Sequence, residues 1–146
     1  MNYTVAAWTP LSSDMGGTEI VYVDPVPKKK VQTYRRLAQK AGKVWRGHGA
    51  LEFRECIADD VKVGKLTSFP RSVKLKPSET VMFSWITYKS RAHRDRVNAK
   101  VMKDKRIAGM DLKLMPFDAK RMIYGGFKVI VGLESLCKDA RPARGS

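Results

Sequence analysis

The stretch from Thr80 to Asp104, TVMFSWITYKSRAHRDRVNAKVMKD, predicts a strand that runs directly into a helix. Side chains alternate between the two faces of a strand, and both faces of its first nine residues carry large apolar groups. We therefore expect this strand to lie in the middle of a sheet, covered on both sides. The helix after it has one narrow apolar face, so it can cover only one of those sides.

Ser90 marks the start of that helix, because its hydroxyl stands where an N-cap is needed. From there His93, Val97 and Val101 recur four residues apart and define the face that is expected to be buried. The other positions are largely basic and are expected to face solvent: Arg91, Arg94, Arg96, Lys100 and Lys103.

Three more strands and one more helix follow from the apolar pattern on either side of this stretch. The strands are predicted at Ile20–Asp24, Ala50–Ala58 and Arg121–Val131, and the helix at Lys28–Arg46. Pro25 and Pro27 are expected to end the first strand. A long connection from Asp59 to Glu79 leads from the second strand to the central one.

The predicted elements follow the order β-α-β-β-α-β. Two right-handed crossovers in that order give a four-stranded antiparallel sheet with both helices on one face, an α+β fold of the ferredoxin-like type. A chain of 146 residues is one domain by size, and we place it at residues 19–131. Residues 1–18 are expected to form a loosely ordered N-terminal segment, and residues 132–146 a basic, disordered tail.

The uncovered sheet face is the reason to expect a homodimer. Four strands leave a bare face of very roughly 300 Å² in projection. Such a face reaches the size of the largest apolar patch on a typical monomer. Pairing of two copies through their sheets would cover it, and the dimer would be a dimeric α/β barrel.

The charge of the chain restricts the partners that suit it. Lys and Arg number 29 against 14 Asp and Glu, which gives a net charge of +15. Such a balance favours polyanions: nucleic acid, an anionic membrane surface or an acidic protein. We consider nonspecific nucleic acid through the basic helices as one such partner.

Cysteine usage and hydropathy favour a cytoplasmic protein without a membrane partner. Cys56 and Cys137 lie far apart and outside any metal-binding or C-x-x-C spacing, as is typical of reduced thiols. No apolar run approaches the roughly 20 residues that span a membrane. The sequence contains no convincing metal cluster, phosphate-binding loop or catalytic triad order, so no metal and no cofactor is expected.

Several blocks of the sequence together resemble a known family. They are FSWITYKSRAHRDRVNAKVM (83–102), MPFDAKRMIYGGF (115–127), KAGKVWRGHGALE (40–52) and ADDVKVGKLTSFPRSVKLK (58–76). These blocks are similar to the YbaA-like bacterial proteins, a family of unknown function in the dimeric α/β-barrel superfamily. The resemblance spans about residues 20–131 and implies a ferredoxin-like fold and a sheet-to-sheet dimer.

The resemblance implies no established activity. Three features depart from it: residues 1–18, the basic tail, and Ala119 where the family pattern has glycine. The wider superfamily includes cofactor-free oxygenases and isomerases, so an enzymatic activity of this protein is suggested by analogy alone.

The first functional hypothesis is that a small anionic or aromatic molecule binds in a pocket between the sheet and the helices. The candidate ligand-binding residues are His93, Asp118, Lys120, Arg121, Phe117 and Tyr88. The connection from Asp59 to Glu79 is expected to act as a lid. Among these residues only His93 is a candidate catalytic group, as a general base, and the alternative is a histidine packed at the rim of the core.

The charged residues before the last strand have two interpretations as well. Arg121 with Asp118 and Lys120 suits a grip on an anionic ligand, because a guanidinium binds carboxylate or phosphate as a fork. Alternatively Asp118 pairs with a neighbouring arginine or caps a turn.

Two further hypotheses come from other classes of protein. One is a basic module that binds RNA or DNA through its outer helix faces, where contacts to phosphates are blind to sequence. Its candidate residues are Lys28, Lys29, Lys30, Arg35, Arg36, Lys40, Arg94 and Lys100. The other is a structural or interaction protein without enzymatic activity.

Overall fold

The structure, a computed structural model, describes residues 17–111 and 115–133. Four strands form one antiparallel sheet in the order β2-β3-β1-β4. The strands are β1 (Thr18–Pro27), β2 (Glu52–Ile57), β3 (Glu79–Tyr88) and β4 (Ile123–Lys128). This order confirms the predicted ferredoxin-like α+β fold. The expectations for most of the N-terminal segment and most of the tail lie outside the described residues, although Thr18 already belongs to β1.

The helices are α1 (Val31–Gly47), α2 (Phe69–Ser72), α3 (Arg91–Lys103) and α4 (Lys105–Ala108), and a 3-10 turn (Lys28–Lys30) leads into α1. The predicted N-cap of α3 is confirmed, because the Ser90 hydroxyl accepts the backbone N–H of His93 at 3.1 Å. None of the helices in the described ranges is long and apolar enough to cross a membrane.

β1 is longer than predicted, since it runs through Pro25 and ends at Pro27. The Val81 carbonyl opposite Pro25 accepts an N–H from Ala58 on the β2 side, at 2.9 Å. The backbone groups of this β1–β3 pair therefore point away from each other. Pro25 then directs its nitrogen, which has no hydrogen, toward an edge where β4 has already ended its pairing at Val23. Proline is tolerated on an edge of this kind, so the expectation that Pro25 ends the strand was wrong, whereas Pro27 is indeed its last residue.

The main core lies between the sheet and the long helices α1 and α3. Its fully packed members are Val44, Ala50, Ile86, Tyr88, Val97 and Val101. The predicted apolar stripe of α3 thus rests on the sheet through Val97 and Val101. All of these contacts lie on the face that carries the even-numbered residues of β1 and β3.

The connection between β2 and β3 packs on the opposite face of the sheet. Val73 is buried against Val23 and Val81, and the ring of Phe69 meets that of Phe83 edge-on at 5.7 Å. The expectation that this connection forms a lid over a pocket on the helix side is therefore wrong. Its apolar anchors find the odd-numbered side chains of the central strands, which the helices leave uncovered.

Beyond this connection, the odd-numbered face still presents apolar side chains on β4. Ile123 is 45% exposed and Phe127 is 59% exposed. Both belong to this face because their partners on β1 are Val23 and Glu19. The edge of the sheet at β4 is thus the less covered part of the fold.

Candidate functional site

A cavity of about 500 Å³ lies between the sheet and the helices. Its walls are mostly apolar and include Leu37, Ala41, Met102, Met115, Phe117 and Met122. Methionine side chains adapt to ligands of different shape, because they are unbranched and flexible. The volume is within the range of small-molecule sites, which are typically about 300–1,000 Å³.

The floor of this cavity is polar, which is unusual for the helix-facing side of a central sheet. Glu55, Ser84, Tyr22 and Tyr124 stand opposite one another across the four strands. The first three line the cavity, and the ring of Tyr124 stacks on that of Tyr22 at 5.9 Å. A row of polar side chains therefore interrupts the core in the middle of the sheet.

Two carboxyl groups share one tyrosine at this floor. The Tyr34 hydroxyl, from α1, donates to Oε2 of Glu55 at 2.7 Å, and it also lowers the pKa of the Asp24 carboxyl group on β1. Asp24 is only 2% exposed, and its Oδ1 has no hydrogen-bond partner among the described residues. We refer to Asp24 and Glu55 as the acid pair.

Burial changes the protonation of the acid pair. It raises the pKa of Asp24 to about 6, against the opposing effect of the Tyr34 hydrogen bond. It raises the pKa of Glu55 to about 7, where the hydrogen bond from Tyr34 opposes the shift and the charge of Asp24 adds to it. Burial and the two carboxylates raise the pKa of Tyr34, so its hydroxyl stays protonated. Carboxyl groups poised near neutral pH suit proton transfer.

No compensating cation stands beside the acid pair within the described lining of the cavity, which contains no Lys, Arg or His. This explains why desolvation dominates the two carboxyl pKa values. In the described part of the chain, no three His, Cys, Asp or Glu side chains are grouped closely enough to hold a metal ion.

A second, larger space of about 950 Å³ lies outside this cavity, between α1 and β2. Its walls carry the basic residues Arg35, Lys43, Arg46 and Arg54. We call this second space the basic groove, and the cavity of about 500 Å³ the interior cavity. Tyr34, Phe53 and Glu55 line both, and they therefore stand between the two.

Among the candidate ligand-binding residues from the sequence, Phe117 lines the interior cavity. Its ring meets that of Tyr34 edge-on, with 6.0 Å between the centroids. It thus forms part of the wall next to the tyrosine that bridges the acid pair.

Arg121 is engaged by protein groups. Its guanidinium donates to both oxygens of Glu79, at 2.7 and 2.6 Å, to Asp118 at 2.9 Å and to the Lys74 carbonyl at 3.1 Å. These bonds lower the pKa of both carboxyl groups. Asp118 also accepts the backbone N–H of Lys120 at 3.0 Å. The geometry matches the alternative in which Asp118 pairs with an arginine and caps a turn.

His93 and Tyr88 lie at the other end of β3. Nδ1 of His93 accepts the N–H of Lys89 at 3.0 Å, and the Tyr88 hydroxyl donates to Oδ1 of Asn98 at 2.9 Å. Burial lowers the pKa of His93, and nearby cations add to this effect while the backbone of Gly49 opposes it. Neither side chain lines the interior cavity.

The structure does not bring His93 and Arg121 together. His93 follows the C-terminal end of β3, whereas Arg121 is bound to Glu79 at the first residue of that strand. Nine residue steps of a strand span about 30 Å. The two residues therefore do not belong to one pocket, and the expectation from the sequence that they share one was wrong.

The nucleic-acid candidates are exposed with one exception. The exposed ones are Lys28, Lys29, Lys30, Arg35, Arg36, Lys40 and Lys100. The side chain of Arg94 is only 12% exposed, because its guanidinium lies over Gly126 of β4. Arg94 therefore does not belong to an outer helix face, contrary to the expectation.

Sequence reasoning missed the acid pair and Tyr34, although a signal for the pair was present. Glu55 has the same parity as Phe53 and Ile57, which define the apolar face of β2. Asp24 likewise lies two residues from Tyr22 in β1, so the two side chains share one face of the strand. An acidic residue on the buried face of a strand indicates either a paired charge or a functional group.

Comparison with known proteins places the chain among relatives of unknown function. The family model "Protein of unknown function (DUF1428)" matches residues 20–119. The uncharacterized protein YbaA of Escherichia coli strain K12 is 46% identical over 110 residues, which are 75% of this chain and 93% of YbaA.

Two solved structures show weaker similarity. A conserved protein from Methanosarcina mazei Go1 has a TM-score of 0.46 at 13% identity, covering 78% of this chain and 93% of that one. A NIPSNAP family protein from Agrobacterium tumefaciens strain C58 has a TM-score of 0.46 at 12% identity, covering 77% and 85%.

The family assignment rests on the two sequence matches. The matched range includes Asp24, Tyr34 and Glu55, so the acid pair and its tyrosine lie within the family region. The match extends over more than half of the chain, and YbaA is covered almost completely. The chain belongs to the DUF1428 family of proteins of unknown function.

Proposed function

We propose that the protein binds a small, largely aromatic or apolar molecule in the interior cavity, with a polar group of that molecule facing the acid pair. The observation that carries this proposal is the placement of Asp24, Glu55 and Tyr34 at the floor of an apolar space of about 500 Å³. Of the two ligand classes considered from the sequence, the acidic floor favours the aromatic one, because ionised carboxylates repel an anion.

The energetics of the acid pair support a role in binding. Burying carboxyl groups without a cation costs free energy, which a structural core avoids by using apolar side chains. Buried titratable groups with raised pKa values, placed in a cleft, are typical of functional sites. The buried Oδ1 of Asp24 has no hydrogen-bond partner in the described ranges, so this carboxyl group of the lining gains from a hydroxyl or amine of a bound molecule.

Binding of phenol, indole, benzylamine and benzoate, measured by ligand-observed NMR, tests this proposal. Ala41→Phe places a ring inside the cavity, and Ala99→Phe on the exposed side of α3 is the matched control. We expect the neutral and cationic probes to bind more tightly than benzoate at pH 8, and binding to be lost in Ala41→Phe only. Binding that Ala41→Phe leaves unchanged, or no binding of any probe, would contradict the proposal.

We also infer that two copies associate through the odd-numbered face of the sheet. The exposed apolar side chains of Ile123 and Phe127, on the same face of β4, support this inference, since contiguous apolar patches on a protein surface mark interaction sites. A homodimer would cover them.

Nucleic acid remains the alternative partner, supported by the net charge of +15 and the exposed lysines of the 3-10 turn. Measuring the binding of generic RNA and duplex DNA at roughly 50 and 200 mM salt separates nonspecific attraction from specific binding. Each phosphate contact adds about one unit of slope in log affinity against log salt. Binding that vanishes at the higher salt indicates nonspecific attraction. Submicromolar binding that survives would favour this alternative.

A further inference from the structure

The two carboxyl groups of the acid pair differ in what their oxygens contact. Oε2 of Glu55 accepts the hydroxyl of Tyr34 at 2.7 Å. Oδ1 of Asp24 is buried in the lining of the cavity without a hydrogen-bond partner in the described ranges. Because Asp24 belongs to the lining of the cavity, its ionised carboxylate can take a proton from a molecule that is bound there.

We propose that Asp24 is the general base, and Glu55 the general acid, of a keto–enol isomerisation of a small aromatic carbonyl compound. The proposal rests on the proposed function, since it requires such a molecule to bind in the interior cavity. It assigns the cavity a reaction class that needs only proton transfers.

The step balances in protons and electrons. The carboxylate of Asp24 takes a proton from the carbon next to the carbonyl group, the C–H bond breaks, and its electron pair forms the C=C bond of the enol. The carbonyl π electrons move to the oxygen, which takes a proton from the neutral carboxyl group of Glu55. Nothing is oxidised or reduced, and one proton has moved from carbon to oxygen.

Tyr34 is placed to reset the pair as a proton relay. After the reaction Asp24 carries the proton and Glu55 is ionised. The hydroxyl of Tyr34, which is hydrogen-bonded to Glu55 and interacts with Asp24, gives its proton to Glu55 and takes one from Asp24. This returns both groups to the state in which the cycle began.

The surroundings of Asp24 support opposite protonation states in the pair. Tyr34 faces it from α1 and Glu55 from β2, while Tyr22 shares its strand and Ser84 lines the same floor from β3. The described part of the segment after α3 contributes apolar side chains to the cavity, such as Ile107 and Phe117. With no cation in the described lining, one of the two carboxyl groups keeps its proton near neutral pH.

The test uses 2-indanone, a neutral aromatic ketone, in D₂O. Proton NMR measures how fast the hydrogens next to its carbonyl exchange for deuterium, with and without the protein, and saturation transfer measures binding. We expect acceleration by the wild-type protein with a bell-shaped pH profile, because Asp24 must be ionised and Glu55 protonated.

The variants separate catalysis from folding. Asp24→Asn should lower the protein-dependent exchange rate at least about 100-fold while 2-indanone still binds. Glu55→Gln should remove the fall of the rate on the alkaline side, because an amide has no proton to lose. Glu52→Gln, on the other face of β2, is the matched control and should behave as wild type.

Each other outcome overturns a distinct claim. If 2-indanone binds and exchange equals the blank, or is unchanged in Asp24→Asn, the base is wrong and the binding function stands. If phenol or indole binds and 2-indanone does not, the carbonyl substrate class is wrong. If none binds, the proposed function itself fails. Should Asp24→Asn not fold, a rate of the wild-type protein that is flat from pH 5 to 8 overturns the proposal.

Discussion

Asp24 makes the stability of the protein depend on pH in a direction opposite to that of most aspartates. Its pKa is raised from 3.8 to about 6 in the folded protein. The folded state therefore holds the proton more tightly, and the stabilisation is complete below pH 4 and lost as the pH rises through 6. A shift of this size corresponds to about 3 kcal/mol.

Asp24→Asn should flatten this dependence. The amide cannot ionise, so the variant should lose about 3 kcal/mol less free energy of unfolding than wild type between pH 4 and pH 8. Urea unfolding at the two pH values measures the difference. Asp60→Asn, on an exposed carboxyl group of the connection, is the control. A pH dependence equal in Asp24→Asn and wild type would show that the group is not held in a desolvated place.

Arg121→Ala should destabilise the fold. The substitution leaves the mostly buried carboxylate of Glu79 without its cation, and we expect a loss of about 2 kcal/mol. Thermal unfolding measures it, with Lys120→Ala as an exposed neighbour that should change stability by less than about 0.5 kcal/mol. Equal melting temperatures for the two variants would mean that the Glu79–Arg121 contact contributes little.

At the scale of elements, α1 and β2 meet through a glycine. A Cβ atom at Gly42 would lie 2.8 Å from Cδ1 of Phe53, so the ring occupies the space that a side chain would need. From the sequence alone Gly42 is only a weak point of a helix, worth up to about 1 kcal/mol relative to alanine. The structure gives it a packing role beside the cavity.

Gly42→Ala should therefore destabilise the protein, although alanine favours helices. Displacing the Phe53 ring costs about 1–3 kcal/mol, against a propensity gain of about 1. Gly47→Ala, where a Cβ atom would meet nothing within 4 Å, should be neutral or stabilising. Chemical unfolding of both variants measures the contrast. A Gly42→Ala protein as stable as Gly47→Ala would show that the ring moves freely.

The apolar pattern was sufficient to predict the elements but not where the connections go. The 3.6-residue period of α1 and α3 and the two-sided apolar strand β3 fix the fold class, and the structure confirms it. Val73 and Phe69 can pack on either face of a sheet, so their side of it depends on which face the helices leave free. The acid pair was missed because the partner that joins it, Tyr34, comes from another element.

At the scale of the whole molecule, the odd-numbered sheet face should hold two copies together. Light scattering should give twice the chain mass of 16.5 kDa at micromolar concentration. Phe127→Asp places a charge in the apolar patch and should shift the mass toward the single chain. Ala99→Asp, at an exposed position of α3 on the other side of the sheet, should leave it unchanged. A wild-type mass of one chain would contradict the dimer.

The protonation of the acid pair is the property on which both the binding site and its chemistry depend. Carbon-detected NMR of the side-chain carboxyl groups, followed from pH 3 to 9 with Asp24→Asn and Glu55→Gln for assignment, measures it directly. We expect the pair to titrate with apparent pKa values of about 6 and about 7. Titration of both groups near 4, as in solvated carboxyl groups, would contradict a buried acid pair and remove the basis for the proposed site.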